Sequence, residues 1–174
     1  MVQNFTNQES GAAFQSVTNT IIDSYLGVPA KDWVSAYSEV DRRRHEAAKK
    51  AVSDATAKRD INSKPGLPLS SYAGRYRDPW YGDVLVTEVD GKLAMSFSHT
   101  PRLTGVIEHW QYETFIVRWN DRSLDADAYV TFELTPEGKV DLVRMKAVSP
   151  STDFSFDFHH LRLLPVAADA TPWD

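Results

Sequence analysis

The residues best suited to chemistry form one run, Glu108-His-Trp-Gln-Tyr-Glu113, between two segments of strand-like pattern. An imidazole changes charge near neutral pH, and a carboxylate or phenol beside it can complete a proton-transfer site. His109 with Glu108 and Tyr112 would supply these three groups. Aromatic residues with polar tips are also common at barrel rims and hairpin ends, where the ring packs and the tip stays hydrated. We favour this structural interpretation over an enzyme built on the three residues.

Serine hydrolases are identified by local spacing, and none of their motifs is complete in this sequence. There is no G-x-S-x-G turn and no S-x-x-K pair in which a lysine could activate a serine. Lys64-Pro-Gly66 matches a bare K-x-G, but it lies in a predicted linker rather than on a strand. The sequence therefore predicts no catalytic residue.

A metal site is not expected either. The chain has no cysteine, which excludes thiolate sites and disulfides. His45-Glu46 begins like the helix of a zinc protease, but Lys49 stands where the second histidine ligand belongs. On a strand, the adjacent His159 and His160 would point to opposite faces, with His160 partly inside, and they could not share one ion without a bulge. We predict no metal and no cofactor.

A second conspicuous segment is Asp78-Pro-Trp-Tyr-Gly-Asp83, whose proline and glycine predict a turn. Its two aromatic side chains could cover one end of a barrel, dock onto a neighbouring domain or bind a ligand. Our candidates for ligand-binding or interdomain contacts are therefore Trp80, Tyr81, His109, Trp110 and Tyr112.

The charge and hydropathy patterns argue against two classes of partner. The formal net charge is -5, and the densest basic cluster, Arg42 to Lys50, is interleaved with acidic residues as on a solvated helix face. Nucleic-acid binding is therefore not expected. No run of about 18 apolar residues is present, so no membrane span is expected.

The elements that position these residues follow from periodicity. Apolar residues at three- and four-residue spacing predict a first helix over roughly Ser10 to Leu26, ended by Gly27. A second helix is predicted from the N-cap residue Asp32 to about Arg59. Asn62-Ser-Lys-Pro-Gly-Leu-Pro68 then breaks the helical pattern.

After this break the apolar period changes to two, which predicts strands. Asp90-Gly91 and Pro136-Glu-Gly138 predict hairpin turns between them. The candidate strands are Gly74 to Arg77, Asp83 to Val89, Lys92 to Phe97, Gly105 to His109, Thr114 to Trp119, Tyr129 to Leu134, Val140 to Lys146 and Phe154 to Leu164.

The predicted fold class is mainly β with N-terminal helices (α+β). About eight sequential antiparallel strands with one apolar face each can bury that face in an up-and-down barrel or a tight sandwich. A barrel of this size either fills with side chains or holds one small molecule. A filled core is favoured because many bulky rings would point inward: Phe97, Phe115, Trp119, Phe132, Phe154, Phe156 and Phe158.

Several segments, taken in order, resemble a domain of unknown function that is commonly appended to serine hydrolases of the β-lactamase and penicillin-binding-protein type. The segments are Ser71 to Val86, Asp90 to Leu93, Glu108 to Phe115, and Val130 to Phe132 with Gly138 to Val140. The resemblance implies a lipocalin-like barrel. It also implies that Phe5 to Phe14 is the end of the last strand and the start of the closing helix of a hydrolase domain.

On this resemblance the chain has four parts. Residues 1–30 are the C-terminal remnant of a hydrolase domain, 31–66 a helical connector with a Pro/Gly linker, 67–165 the barrel and 166–174 a tail. The hydrolase's serine, lysine and tyrosine would precede Met1, and none of its catalytic residues maps onto this sequence. The compartment stays open, and the resemblance is compatible with a periplasmic or exported parent protein without requiring one.

The function expected is that of a non-catalytic accessory domain that packs on a serine hydrolase domain and modulates it or its assembly. The alternative is a barrel that binds a small apolar or amphipathic ligand. The apolar stripe of the first helix needs a covering surface, so it should pack on the barrel or pair between chains in a homodimer.

Overall fold

The computed structural model describes residues 10–167, and the chain divides into one unit of residues 1–53 and a second of residues 54–174. The two helices are α1 (Ser10–Leu26) and α2 (Trp33–Ala57). The predicted strand end at 5–9 and most of the predicted tail lie outside the described residues. No helix in the described part of the chain combines the length and apolar character needed to cross a bilayer.

The helices begin and end where the local chemistry predicts. Gly27 follows α1 with a φ of 64°, a left-handed conformation that costs glycine little. Asp32 caps α2, because its Oδ1 accepts a hydrogen bond from the Ser35 N–H at 2.9 Å. The basic cluster of α2 is a solvated face as predicted, with Arg42 paired to Glu39 at 2.8 Å and to Glu46 at 2.6 Å.

The second unit contains eight antiparallel strands joined in sequence. The strands are β1 (Gly74–Asp78), β2 (Gly82–Val89), β3 (Lys92–Phe97), β4 (Thr104–Gln111), β5 (Thr114–Trp119), β6 (Ala128–Leu134), β7 (Val140–Ala147) and β8 (Leu164–Pro165). Their order in the sheet is β7-β6-β5-β4-β3-β2-β1-β8. The predicted fold class is confirmed.

The sheet nearly closes into a barrel through the segment that contains β8. Leu164 and Pro165 pair with β1. One residue earlier, Leu163 exchanges two backbone hydrogen bonds with Val143 of β7, at 2.9 and 3.1 Å. The last strand thus joins the two edges of a seven-stranded meander, which hides edges that would otherwise pair with other chains.

Bulky side chains fill the interior. Tyr72, Phe115 and Phe132 are fully buried and meet edge to face, with ring centroids 4.9 to 5.5 Å apart. Trp119 packs against Phe97 at a centroid distance of 6.0 Å. Aromatic pairs in these orientations add to the stabilisation from buried area. The packing is that of a side-chain core, as the sequence favoured.

The predicted strand over Phe154 to Leu164 is wrong. Residues 154–162 form turns and a 3₁₀ helix at Phe158–His160, and only Leu164–Pro165 is a strand. Asp153 Oδ1 accepts a hydrogen bond from the Ser155 N–H at 2.8 Å, so an aspartate side chain closes a turn where the alternating phenylalanines suggested extension.

The inward-facing rings predicted on this segment are therefore only partly found. Phe158 is buried, Phe156 is half-buried and Phe154 is 89% exposed. His160, predicted to lie partly inside, is exposed together with His159.

Candidate functional site

The meander separates the five candidate contact residues between two ends of the barrel. The linker end holds residues 58–73 and the turns at 90–91, 112–113 and 135–139, and the opposite end holds 79–81, 98–103, 120–127 and 148–162. His109, Trp110 and Tyr112 lie at the linker end, whereas Trp80 and Tyr81 lie at the opposite end. The five residues therefore cannot form one small site.

The three groups considered for proton transfer do not converge. Glu108 is exposed, and its carboxylate lies 3.5 Å from the Arg118 guanidinium. His109 Nε2 lies 3.0 Å from the Tyr112 carbonyl, which can only accept, so this nitrogen donates. The Tyr112 side chain is exposed. Each group has a structural partner or faces solvent, and no acid–base pair is formed.

The linker instead binds the β4–β5 hairpin through a series of hydrogen bonds, which we call the linker clasp: Arg59, Asp60, Ser63, Gly66 and Tyr72 against residues 109–113. Arg59 donates to the carbonyls of Trp110, at 2.5 Å, and His109, at 3.0 Å. The Asp60 N–H donates to Gln111 Oε1 at 2.9 Å. The clasp fixes the linker on the hairpin over a separation of about 50 residues in sequence.

The Trp110 ring packs against the linker clasp and is not a free surface side chain. The Arg59 guanidinium lies over its ring, 4.6 Å from the centroid, which is cation–π geometry. Its other neighbour is Tyr129, at a centroid distance of 5.5 Å. Of the three candidates at the linker end, only Tyr112 presents its ring to solvent.

Glu113 joins the linker clasp to the core. Its Oε1 accepts a hydrogen bond from the Gly66 N–H at 2.8 Å, and its Oε2 accepts one from the Tyr72 hydroxyl. The same hydroxyl oxygen accepts a bond from the Leu67 N–H at 3.1 Å. Burial, and secondarily the bond to Glu113, raises the pKa of Tyr72 well above its usual range.

We expect the free energy of unfolding to fall as the pH rises above about 10, where tyrosines of the unfolded chain ionise. Burial raises the pKa of Tyr76 to about 12, and that of Tyr72 is raised as well. The folded chain thus binds more protons than the unfolded chain. The stabilisation is complete below pH 10 and is lost towards the folded pKa values, by up to about 1.4 kcal/mol per pH unit for each tyrosine.

Urea unfolding between about pH 9 and about pH 11 measures this slope. Tyr72→Phe should reduce the slope by the contribution of one tyrosine. A stability that stays constant over this range would contradict the assignment.

At the opposite end, the β1–β2 turn is held by the buried carboxylate of Asp78. Its Oδ1 accepts from the N–H groups of Trp80 at 2.8 Å and Tyr81 at 3.1 Å, and its Oδ2 accepts from the Arg162 N–H at 2.9 Å. Tyr81 packs against the core, but Trp80 is 87% exposed. The turn therefore presents one indole on a fixed backbone.

A groove with a volume of about 680 Å³ lies between α1 and α2. The two helices are joined by hydrogen bonds from Trp33 Nε1 to Asp23 Oδ2, at 2.6 Å, and from Asn19 to the Tyr37 hydroxyl, at 2.9 Å. The lining residues are Ala12, Ala13, Ser16, Val17, Thr20, Ile21, Val34, Ser38, Asp41, Arg42 and His45. The apolar stripe of α1 was predicted from spacing, but the groove was missed because it depends on how α2 packs beside it.

Comparison with known proteins gives two matches. Residues 58–165 match the model of a family described as a domain of unknown function (DUF3471), and these residues begin directly after α2 and end in β8. No curated protein matches the chain. Among solved structures, the chain is similar to the crystal structure of the C-terminal domain of penicillin binding protein Rv0907, at 22% identity and a TM-score of 0.45, over 63% of this chain and 94% of that chain.

Proposed function

Because this chain belongs to the DUF3471 family, we propose that it is the non-catalytic accessory part of a β-lactamase-like serine hydrolase. Two observations support the proposal: membership of this family, and the resemblance, in the same order, of the segments between Ser71 and Val140 to an accessory domain of such hydrolases. The proposal also fits the geometry at the linker end, where Glu108, His109 and Tyr112 do not form a proton-transfer site. The eight sequential strands fit a lipocalin-like barrel.

The exposed apolar stripe of α1 is the observation that carries the proposed role. Phe14, Val17 and Ile21 are all more than one-third exposed, and Val17 and Ile21 line the groove with α2. Binding a partner that covers apolar side chains grouped in this way lowers the free energy of the complex. We assign this surface to the hydrolase domain, with residues 1–30 completing its fold and residues 31–66 connecting it to the barrel.

Two of the candidate aromatic residues fit an interdomain contact. Trp80 and Tyr112 are exposed, whereas Tyr81, His109 and Trp110 are engaged within the barrel or the linker clasp. Exposed aromatic anchors are frequent at protein interfaces. Since Trp80 and Tyr112 occupy opposite ends, they would serve separate contacts.

Val17→Asp is expected to weaken binding of the hydrolase domain at least about tenfold, because it places a charge in the apolar groove. The measurement is calorimetric titration of this chain with the hydrolase domain encoded with it. Val40→Asp is the matched control, since Val40 is also a helical valine that is 43% exposed, but it does not line the groove. An equal loss of affinity in both variants, or no loss of affinity in either, would contradict the proposed docking surface.

A catalytic role is tested with the purified chain alone. A chromogenic β-lactam or a D-amino-acid anilide should be hydrolysed no faster than in buffer. Turnover that survives purification and disappears in a His109→Gln variant would overturn the non-catalytic assignment.

A second copy of the chain is the competing partner for the α1 stripe. Light scattering distinguishes the two cases without the hydrolase. Dimers that dissociate in Val17→Asp but persist in Val40→Asp would assign the stripe to self-association.

A further inference from the structure

We propose that Asp157, His159 and His160 form a binding site for a divalent transition-metal ion of the Zn²⁺ type. Each residue offers one ligand atom, and these atoms all lie within 4.8 Å of one another. The two imidazole rings are 4.0 Å apart between centroids and tilted by 50°. The site lies at the end of the barrel opposite the linker.

The local backbone explains why Asp157 and His160 lie on the same side. Phe158–His160 is a 3₁₀ helix, and the His160 N–H donates to the Asp157 carbonyl at 2.9 Å. Residues three apart eclipse one another in a 3₁₀ helix, which brings the side chains of Asp157 and His160 to the same side. On a strand the adjacent histidines would have diverged, so the geometry depends on the turn that replaces the predicted strand.

Buried neighbours hold this turn in place. Phe158, between the aspartate and the histidines, is buried and stacks on Trp119 at a centroid distance of 6.1 Å. Leu161 is also buried, and the next residue, Arg162, donates its N–H to Asp78 Oδ2 at 2.9 Å. The three ligand side chains therefore project from a backbone fixed on both sides, which reduces the entropy lost when an ion is bound.

The donor set selects the class of metal. Two imidazole nitrogens and one carboxylate oxygen suit Zn²⁺ and its neighbours, whereas Ca²⁺ and Mg²⁺ prefer oxygen ligands throughout. Ligand bonds of about 2.1 Å in a tetrahedral site put two donors about 3.4 Å apart, so ligand atoms that now lie within 4.8 Å of one another must approach by at most about 1.4 Å to bind one ion. Three protein ligands leave at least one coordination position open to water or to a group of another molecule.

The site is tested by titrating the full chain with ZnCl₂ while observing the imidazole resonances by NMR. The chain has five histidines, so two of the five should shift together and reach saturation at one ion per chain, below about 1 mM Zn²⁺. Excess EDTA should restore both signals. The same ion should raise the thermal unfolding midpoint, because it binds the folded chain more tightly than the unfolded chain.

Variants assign the ligands. His159→Gln and His160→Gln should each weaken Zn²⁺ binding at least about tenfold, and Asp157→Asn should also weaken it, because an amide oxygen is a poorer ligand than an imidazole nitrogen or a carboxylate. His45→Gln, in the exposed part of α2, is the control and should change the affinity less than twofold. Equal shifts of all five histidines, no saturation, or an equal loss in His45→Gln would overturn the proposal. Circular dichroism of each variant verifies its fold.

Discussion

Trp119→Ala is expected to lower the free energy of unfolding of the barrel by at least about 4 kcal/mol. Trp119 is 1% exposed, and its ring packs between Phe97 and Phe158 at centroid distances of 6.0 and 6.1 Å. Its indole Nε1 donates to the buried carbonyl of Ala126 at 2.6 Å. Alanine would leave a large cavity and an unpaired carbonyl, and the second loss adds about 1–3 kcal/mol.

Urea unfolding monitored by far-ultraviolet circular dichroism measures this effect, since removing a tryptophan changes the fluorescence signal. Trp80→Ala is the matched control, because that indole is 87% exposed and should change stability by less than about 0.5 kcal/mol. Similar losses in the two variants would mean that Trp119 is not the centre of the core.

Gly105→Ala is expected to cost about 3 kcal/mol, although it adds a single methyl group. A Cβ at this position would lie 2.1 Å from the Arg118 carbonyl oxygen and 2.8 Å from the Trp119 Cα. Both atoms belong to the backbone of β5, which pairs Trp119 with Gly105. Since neither atom can rotate away, β4 and β5 must separate and weaken the hydrogen bonds between them.

Gly11→Ala is the matched control for this substitution. A Cβ at Gly11 meets nothing within 4 Å, and the residue lies in α1 rather than in the barrel. Alanine favours a helix over glycine by up to about 1 kcal/mol, so this variant should leave the barrel transition unchanged and stabilise α1 slightly. Unfolding of the barrel at the same urea concentration in Gly105→Ala and the unmodified chain would contradict the close approach of the strands.

Elements with a strict period of two were the most predictable from the sequence. β3 and β5 have the predicted bounds because every second residue is a bulky apolar residue that is buried, namely Leu93, Met95 and Phe97 in β3 and Phe115, Val117 and Trp119 in β5. The Asp90-Gly91 turn has positive φ values at both residues, 51° and 72°, which is the geometry that such a pair favours between twisted strands. Local sequence is sufficient where side-chain alternation and turn chemistry agree.

Two features were not predictable because competing interactions decide them. The phenylalanines of residues 154–158 alternate like a strand, yet the Asp153 side chain accepts a hydrogen bond from the Ser155 N–H, and the Asp153 and Asp157 carbonyls accept bonds from the backbone three residues on. These bonds fold the segment into turns. The linker clasp joins Arg59 to residues about 50 positions away, and no local pattern encodes such a distance. These two features also determine the candidate sites. The turns bring His159 and His160 close together, and the linker clasp engages the Trp110 ring.

The reading frame immediately upstream of the Met1 codon tests the proposed function most directly. We predict that it continues in frame and encodes a β-lactamase-like domain with a Ser-x-x-Lys pair. That pair would provide the nucleophile and the lysine that this sequence lacks. An in-frame stop codon, or an upstream domain without this pair, would contradict the assignment of the chain to a serine hydrolase.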